Sequence, residues 1–295
     1  MLSILIPTYN YNIYDLVLDL HNKCLKERIN FEIICLEDGS NSTFINLNKK
    51  INKLSNCQHI INPNNSGRLL TRLKLANLAK YDWLLYLDAD VFPKSNDFIL
   101  NYLQHINTNS EAVFGGFAYQ KDTKNKTSLR YLYGKKYEQV NADIRNKTPY
   151  KIIISANFLI KKALYLSITK QFKTTSYGAD LIFATHLMQH KVNVHHINNE
   201  VYHLGLEDNI VFFNKQKEAV NLLHHLNSQN KLITHQNSLL KAYKLVKKYR
   251  LEHLYLFLFK RFEPTLQRLI VGASPKTKLL QFYKLGYFIS LQQTR

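Results

Sequence analysis

Two carboxylates one residue apart, Asp88 and Asp90, stand at the end of the apolar run Trp83-Leu84-Leu85-Tyr86-Leu87 and just ahead of Pro93. Trp, Tyr and Leu suit a strand buried on both faces, and a proline marks where ladder hydrogen bonding stops. Carboxylates beside a buried strand are costly to desolvate unless positive charge lies next to them. A divalent cation carrying substrate phosphates supplies such charge, because hard oxygen ligands suit Mg2+ or Mn2+. The plainer reading of Asp88-Ala89-Asp90 is a turn whose aspartates cap the next element. The choice between the two rests on what else the chain brings to the same end of the sheet.

The elements upstream supply the answer. Leu2 to Ile6 reads as a buried strand closed by Pro7-Thr8-Tyr9-Asn10, and residues 11–28 follow as a helix with Val17, Leu20 and Cys24 at helical spacing. Phe31 to Leu36 is a second strand, ending in Glu37-Asp38-Gly39-Ser40. Phe44, Leu47, Ile51 and Leu54 predict one amphipathic helix capped by Asn41 or Ser42. His59 to Ile61 is a short strand, Asn62 to Gly67 a turn-rich loop, and Leu69, Leu73 and Ala76 mark a further helix. Strand and helix alternate three times before the central strand, the pattern of right-handed parallel crossovers. Ligands of such sheets gather outside the carboxyl ends of the strands. Three of those ends carry Thr8-Tyr9-Asn10, Glu37-Asp38 and Asp88-Ala89-Asp90, which favours a ligand over a turn.

Beyond Asp90 the pattern predicts a helix over Phe98 to Ile106 and a strand over Ala112 to Phe117. Residues 120–150 read as a mobile, basic excursion with a short helix near Leu129 to Tyr137. Lys151 to Ile160 is strand-like, and Lys170 to Asp180 is a polar loop before a helix from Leu181 to about Gln189. Val192 to Ile197 is a strand, and Ile210 to Leu226 a helix. The stretch 229–295 is basic, aromatic and acid-poor, so the expected division is a catalytic domain over 1–228 and a helical C-terminal extension over 229–295. Its helices are too short and interrupted to span a bilayer. They either pack on the catalytic domain or lie in a membrane interface.

With 295 residues the chain can hold one large domain or two smaller ones. Forty Lys and Arg against 21 Asp and Glu give a net charge of +19, which favours anionic partners: nucleic acid, an anionic membrane face or phosphorylated substrates. Cys24, Cys35 and Cys57 are too few and too scattered for a disulfide framework or a zinc site. The N-terminus has no basic segment ahead of its short apolar run and does not read as a signal peptide. The expectation is a cytoplasmic protein, with peripheral attachment to the inner face of the membrane left open by the basic tail.

The order Ile6-Pro7-Thr8-Tyr9-Asn10, Glu37-Asp38-Gly39-Ser40, Asn65-Ser66-Gly67 followed by Arg72, and Leu87-Asp88-Ala89-Asp90 resembles the family 2 glycosyltransferases over roughly residues 1–205. The resemblance implies an α/β fold of GT-A type, Rossmann-like, with a mostly parallel central sheet flanked by helices. It also implies a nucleoside diphosphate sugar as donor, a UDP-sugar favoured, and a divalent metal, Mn2+ or Mg2+. Carried over, Pro7, Thr8, Tyr9 and Asn10 would line the nucleoside pocket. Glu37 and Asp38 would stand where the family has two aspartates that contact base and ribose. Gly67 and Arg72 keep the glycine-to-arginine spacing, although Leu73 replaces the usual Asn. Asp88 would face ribose and metal, with Ala89 beside the nucleotide sugar, Asp90 on the metal and His203 as a third ligand. Asp180 matches the general base that deprotonates the acceptor, although Ala179 replaces the acid before it; its alternative role is to cap the helix from Leu181. Ser155-Ala156-Asn157-Phe158 resembles the segment near sugar and acceptor. Arg130, Lys135 and Lys136 either hold an acidic acceptor or form a solvated basic face.

The function so implied is an inverting, metal-dependent transfer to a hydroxyl of a glycan or lipid-linked saccharide, in cell-surface polysaccharide or lipopolysaccharide synthesis. A sugar nucleotidyltransferase would want a Gly-rich, Arg-containing loop after the first strand, which Pro7 to Asn10 does not provide. A nucleic-acid reader would want a recognition motif, and none is present. A non-catalytic relative, or a basic polyanion-binding protein, is the remaining alternative. Glu37 and Ala179 encourage it, and retention of both metal aspartates argues against it.

Overall fold

Strand β1 (Leu2–Thr8) is the apolar spine against which the N-terminal half is laid: Leu2, Ile4, Leu5 and Ile6 expose nothing to solvent. Helix α1 (Tyr14–Lys26) buries Leu16, Val17, Leu20 and Cys24 at helical spacing. β2 (Phe31–Asp38) pairs parallel with β1, from Leu2 opposite Phe31 to Thr8 opposite Glu37. α2 (Ser42–Asn48), β3 (Cys57–Asn62), α3 (Arg68–Leu78) and β4 (Trp83–Leu87) complete the parallel order β3-β2-β1-β4. The crossovers read from the sequence are therefore present. The structure, a computed structural model, describes residues 1–106, 108–121, 123, 125–170, 178–229 and 237–293.

The helix predicted through Phe44, Leu47, Ile51 and Leu54 is not one helix. The Asn41 side chain caps α2 by accepting from the Phe44 N–H, and the chain tightens into a 3-10 turn over Lys49–Lys53. Leu47 is left exposed, whereas Asn48 is buried. The Asn48 amide explains the rotation: it accepts from the Ile13 N–H at 3.0 Å and donates to the Tyr11 carbonyl at 2.9 Å and to Glu37 Oε1 at 2.7 Å.

After β4 come β5 (Val91–Pro93), α4 (Phe98–Leu103), β6 (Ala112–Phe114), β7 (Phe117–Ala118), α5 (Leu129–Tyr137), α6 (Ala142–Asn146), β8 (Asn157–Lys161), α7 (Lys162–Thr169), α8 (Ala179–Gln189), β9 (Val194–His196) and β10 (Val201–His203). β8 runs antiparallel between β4 and β6, and β9 is parallel to β6, so the main sheet reads β3-β2-β1-β4-β8-β6-β9. A second, three-stranded sheet has the order β5-β10-β7. The single strand predicted over Ala112 to Phe117 is split between the two sheets at Gly115-Gly116. Gly116 adopts φ +87°, and a Cβ on Gly115 would come within 2.4 Å of the Asn157 side chain and the Asn199 carbonyl.

By its contacts the chain forms two compact units. One comprises Met1–Ala118, Gln139–Thr175 and His186–Gly205; the other comprises Tyr119–Glu138, Ser176–Thr185 and Leu206–Arg295. The second unit is helical: α5 joins α9 (Asn209–Ser228), α10 (Ser238–Lys248), α11 (Glu252–Val271) and α12 (Thr277–Gln293) around Phe212, Phe213, Phe259, Ile270 and Tyr283. Composition draws a division at residue 228; contacts group α5 and α9 with the C-terminal helices. Among the described residues no helix is long and apolar enough to cross a membrane.

The excursion predicted over 120–150 holds α5 and α6; residues 122 and 124 lie outside the described residues. Its Arg145 is 2 % exposed in the first unit. The guanidinium donates to the carbonyls of Val140, Phe114, Gly115 and Ile197, and Nη1 lies 2.8 Å from His196 Nδ1. This fan of donors pins the glycine break between the two sheets. It also requires His196 to be neutral, since an imidazolium has no lone pair to offer Arg145, while Nε2 lies 2.7 Å from the Pro149 carbonyl that it donates to. Burial, reinforced by the Arg145 charge and only partly opposed by the bond to Pro149, lowers His196 from 6.5 to about 4.

A depressed imidazole contributes stability in full above its unfolded value and loses it as pH falls through the folded one. Denaturant unfolding should therefore show stability declining from pH 6.5 towards about 4, by roughly 3 kcal/mol from this group. A flat profile across that window would contradict the neutral assignment.

Candidate functional site

The carboxyl ends of β1 and β2 are tied to each other by polar side chains, and those of β2 and β4 are both bonded to the first turns of α3. At the end of β1, Asn10 takes a positive φ of 48°, its N–H donates to Ser40 Oγ at 2.8 Å, and its Oδ1 accepts from the Asn41 N–H at 2.8 Å. Asn is among the few side chains that tolerate this left-handed backbone. Pro7 is partly buried and Thr8 buried, whereas Tyr9 is 55 % exposed.

Glu37 and Asp38 end β2, and each is neutralised in its own way. Glu37 is fully buried: Oε1 accepts from Asn48 and meets His59 Nε2 at 3.0 Å, while Oε2 accepts from the Ser40 hydroxyl. Burial alone would raise its pKa; the hydrogen bonds from His59, Ser40 and Asn48 outweigh burial and hold the carboxyl below its ordinary value. A ligand reaches Glu37 only by displacing one of these partners. Asp38 accepts from the backbone N–H groups of Ser66 and Gly67, both at 2.8 Å, and from the Asn62 amide at 3.0 Å. Against the upward push of burial, these donors and Thr71 keep it ionised. Gly67, at φ +84°, delivers its N–H to Asp38 at the start of α3.

Asp88 is clamped by two arginines one helical turn apart. Arg72 Nη2 lies 2.6 Å from Oδ1, and Arg68 Nη2 lies 2.7 Å from Oδ2. Arg72 is 4 % exposed and also donates to the Ser155 hydroxyl and carbonyl, with its guanidinium over the Tyr86 and Phe158 rings. Arg68 is half exposed and reaches Ser155 Oγ at 3.1 Å. Ala89 turns the chain between the two aspartates and is partly buried.

Asp90 faces His203. β5 and β10 pair antiparallel with His203 opposite Val91, which sets Asp90 Oδ2 3.5 Å from His203 Nε2. The Leu204 N–H donates to the Asp90 carbonyl at 2.8 Å, and a Cβ on Gly205 would lie 2.0 Å from Asp90 Oδ2, so only glycine leaves that carboxylate its place. Burial raises the Asp90 pKa, but His203 and then Arg68 outweigh it and keep the group ionised. The phenol of Tyr11 is raised by burial and next by the charge of Asp90, so Tyr11 belongs to this corner.

Among the described residues no three His, Cys, Asp or Glu side chains form a ready-made metal cage. A divalent ion that binds mainly through substrate phosphates and water needs few protein ligands. An ionised carboxylate and an imidazole nitrogen 3.5 Å apart fit that requirement. Asp88 has both oxygens on guanidinium groups. The site residues that periodicity alone does not flag are Arg68, Tyr11, Asn48, His59 and Ser155. Arg68 had a signal, since it shares a helix face with Arg72 four residues on.

Asp180 lies in the first turn of α8, partly buried, in the second unit; Glu37, Asp38, Asp88, Asp90 and His203 are all in the first. Ser176 and Tyr177, part of the motif that singled it out, lie outside the described residues, as does the rest of 171–177. Arg130 is not on a solvated face: it is 6 % exposed, bound to Glu138 at 2.9 Å and stacked over Tyr119 and Phe212. Lys135 and Lys136 are exposed. Asn157 is spent on the fold, accepting from the Tyr102 hydroxyl and donating to the carbonyls of Gly116 and Asn199.

Comparison with known proteins converges on one group. The family model described as glycosyl transferase family 2 matches residues 3–168. An uncharacterized glycosyltransferase of Mycoplasma genitalium is 25 % identical over 234 residues, 76 % of this chain and 73 % of that protein. A chondroitin synthase of Pasteurella multocida is 27 % identical over 135 residues, 44 % of this chain but 14 % of the synthase. Among solved structures, a mannosyltransferase of Pyrobaculum calidifontis in complex with GDP-Man and Mn2+ superposes with a TM-score of 0.54 at 12 % identity, over 79 % of this chain and 65 % of that one. Residues 1–349 of TarS from S. aureus superpose with a TM-score of 0.50 at 15 % identity, over 100 % and 92 %. These likenesses establish the GT-A fold.

The clamp on Asp88 predicts an asymmetry between its arginines. Arg72→Ala, which removes a buried guanidinium from the partly buried Asp88 carboxylate and the buried Ser155 carbonyl, should cost about 3 kcal/mol in urea unfolding. Arg68→Ala, at the solvent edge, should cost less than about 1 kcal/mol. Equal losses would contradict the division of labour.

Proposed function

The chain belongs to glycosyl transferase family 2, and we propose that it moves a sugar from a nucleoside diphosphate sugar, a UDP-sugar favoured, to a hydroxyl of a glycan or lipid-linked saccharide. The reading places that reaction in cell-surface polysaccharide or lipopolysaccharide synthesis. The observation that carries it is the gathering of Asn10, Asp38, Asp88 and Asp90 at the carboxyl ends of three adjacent parallel strands, where an open sheet takes its ligand. The GDP-Man and Mn2+ bound to the Pyrobaculum enzyme support a nucleotide-sugar donor and a divalent metal, and make GDP-mannose a donor to test beside UDP-sugars.

In this reading Thr8, Tyr9, Asn10 and Asp38 receive the nucleoside, with Glu37 setting the shape of the pocket from behind. Arg68 pairs with a phosphate oxygen as readily as with Asp88, because its guanidinium is planar, always charged and half in solvent. Asp90 and His203 would hold Mn2+ or Mg2+, and such an ion when bound supplies positive charge against the diphosphate leaving group. Asp180 takes the proton of the acceptor hydroxyl as its oxygen attacks the anomeric carbon. The carbon–oxygen bond to the diphosphate breaks in the same displacement, so the configuration at that carbon inverts.

A panel of nucleotide sugars, assayed for binding and transfer with and without Mn2+, tests the reading. One donor should bind in a metal-dependent way, and Asp90→Ala should weaken that binding by about 10- to 100-fold. Asp180→Asn should leave donor binding intact and lower the transfer rate by about 100-fold or more. Absence of metal-dependent binding to every donor would overturn it.

A further inference from the structure

Helix α11 is two-faced in an unusual sense: both faces are apolar. Its inner face places Leu256, Phe259, Leu266 and Ile270 in the core of the second unit. Its outer face presents Leu254, Phe257, Leu258, Phe262 and Leu269, between 40 % and 68 % exposed. These positions recur at three, four and seven residues, so they lie in one stripe along the helix. A stripe of five large exposed apolar side chains is more than scattered surface hydrophobicity and marks a contact surface.

The charges around the stripe identify its partner. Arg261 and Arg268, seven residues apart, fall within the stripe, and Arg250 and Lys260 flank it; all four are exposed. The two acids of the helix are both turned away: Glu263 accepts from the Tyr283 hydroxyl at 2.8 Å, and Glu252 bonds Tyr243. The outer face therefore carries cations and no carboxylate. Over residues 238–293 the chain has eleven Lys and Arg against those two Glu. A second copy of this chain would oppose arginine to arginine across a self-complementary contact, which is unfavourable. Phosphate-bearing lipid headgroups, with acyl chains just beneath, satisfy both the cations and the phenylalanines.

We infer that the outer face of α11 is a docking surface for an anionic lipid bilayer, on which the helix lies parallel to the membrane plane. Phe257 and Phe262 enter the boundary between headgroups and acyl chains, and Arg261 and Arg268 snorkel to the phosphates. The inference stands independently of the donor site, because it draws on no residue of that site.

Co-sedimentation of the full chain with vesicles tests it, using phosphatidylcholine alone and phosphatidylcholine mixed with phosphatidylglycerol. Binding should require phosphatidylglycerol and weaken as salt rises. Phe257→Ser with Phe262→Ser, and separately Arg261→Glu with Arg268→Glu, should each reduce binding about tenfold or more. Thermal melting and donor binding should be unchanged, since the altered side chains are exposed and remote from β1, β2 and β4 in sequence. No binding to either vesicle, or equal binding by the variants, would overturn the proposal. A concentration-dependent dimer lost in the same variants without vesicle binding would assign the face to a second copy and overturn it as well.

Discussion

Four carboxylates at the ends of two parallel strands, β2 and β4, cannot stay charged at the rim of an apolar sheet unless each is answered, and the N-terminal half is organised around those answers. Glu37 is met by His59 and Asn48, Asp38 by the backbone N–H groups that open α3, Asp88 by Arg68 and Arg72, and Asp90 by His203. Each answer also fastens two parts of the chain. Asn48 joins α2 to the loop after β1, and Arg72 joins α3 to the approach to β8. The electrostatic requirement and the mechanical one are met by the same side chains, which cross-link the carboxyl ends of β2 and β4 to the helices and loops around them.

The answers differ in how easily they can be exchanged. Glu37 is fully buried and meets protein partners on both oxygens, which makes it shape the pocket rather than offer it charge. Asp90 has a single imidazole at 3.5 Å, a looser arrangement that leaves room for an ion between or beside the pair. Arg68 stands between these cases. Half in solvent, it shares Asp88 with Arg72, and an incoming phosphate competes for its guanidinium.

The parallel order of the first four strands was legible in the sequence because buried strands and amphipathic helices alternate there at short, regular intervals. The acidic strand ends were legible for the same reason, as positions just past each apolar run. What escaped were features set by contacts distant in sequence. The split at Gly115-Gly116 depends on Arg145, some thirty residues on, and a buried arginine in a polar, basic stretch has no local signature. The rotation of α2 depends on the partners of Asn48, which lie on β2 and before α1. Composition separates residues 229–295 from the rest, whereas the grouping of α5 and α9 with those helices is written in Phe212, Phe213 and Leu129, residues that look like any other core positions.

The central claim is that Asp90 and His203 mark the place where a donor diphosphate and its metal meet the protein. Anomalous diffraction at the manganese edge, from crystals grown with Mn2+ and a nucleoside diphosphate, tests it most directly. A single strong peak should appear within coordination distance of Asp90 and His203, with the diphosphate between that peak and Arg68. A nucleotide bound at the ends of β1 and β2 with its manganese held elsewhere, and Asp90 still facing only His203, would contradict it.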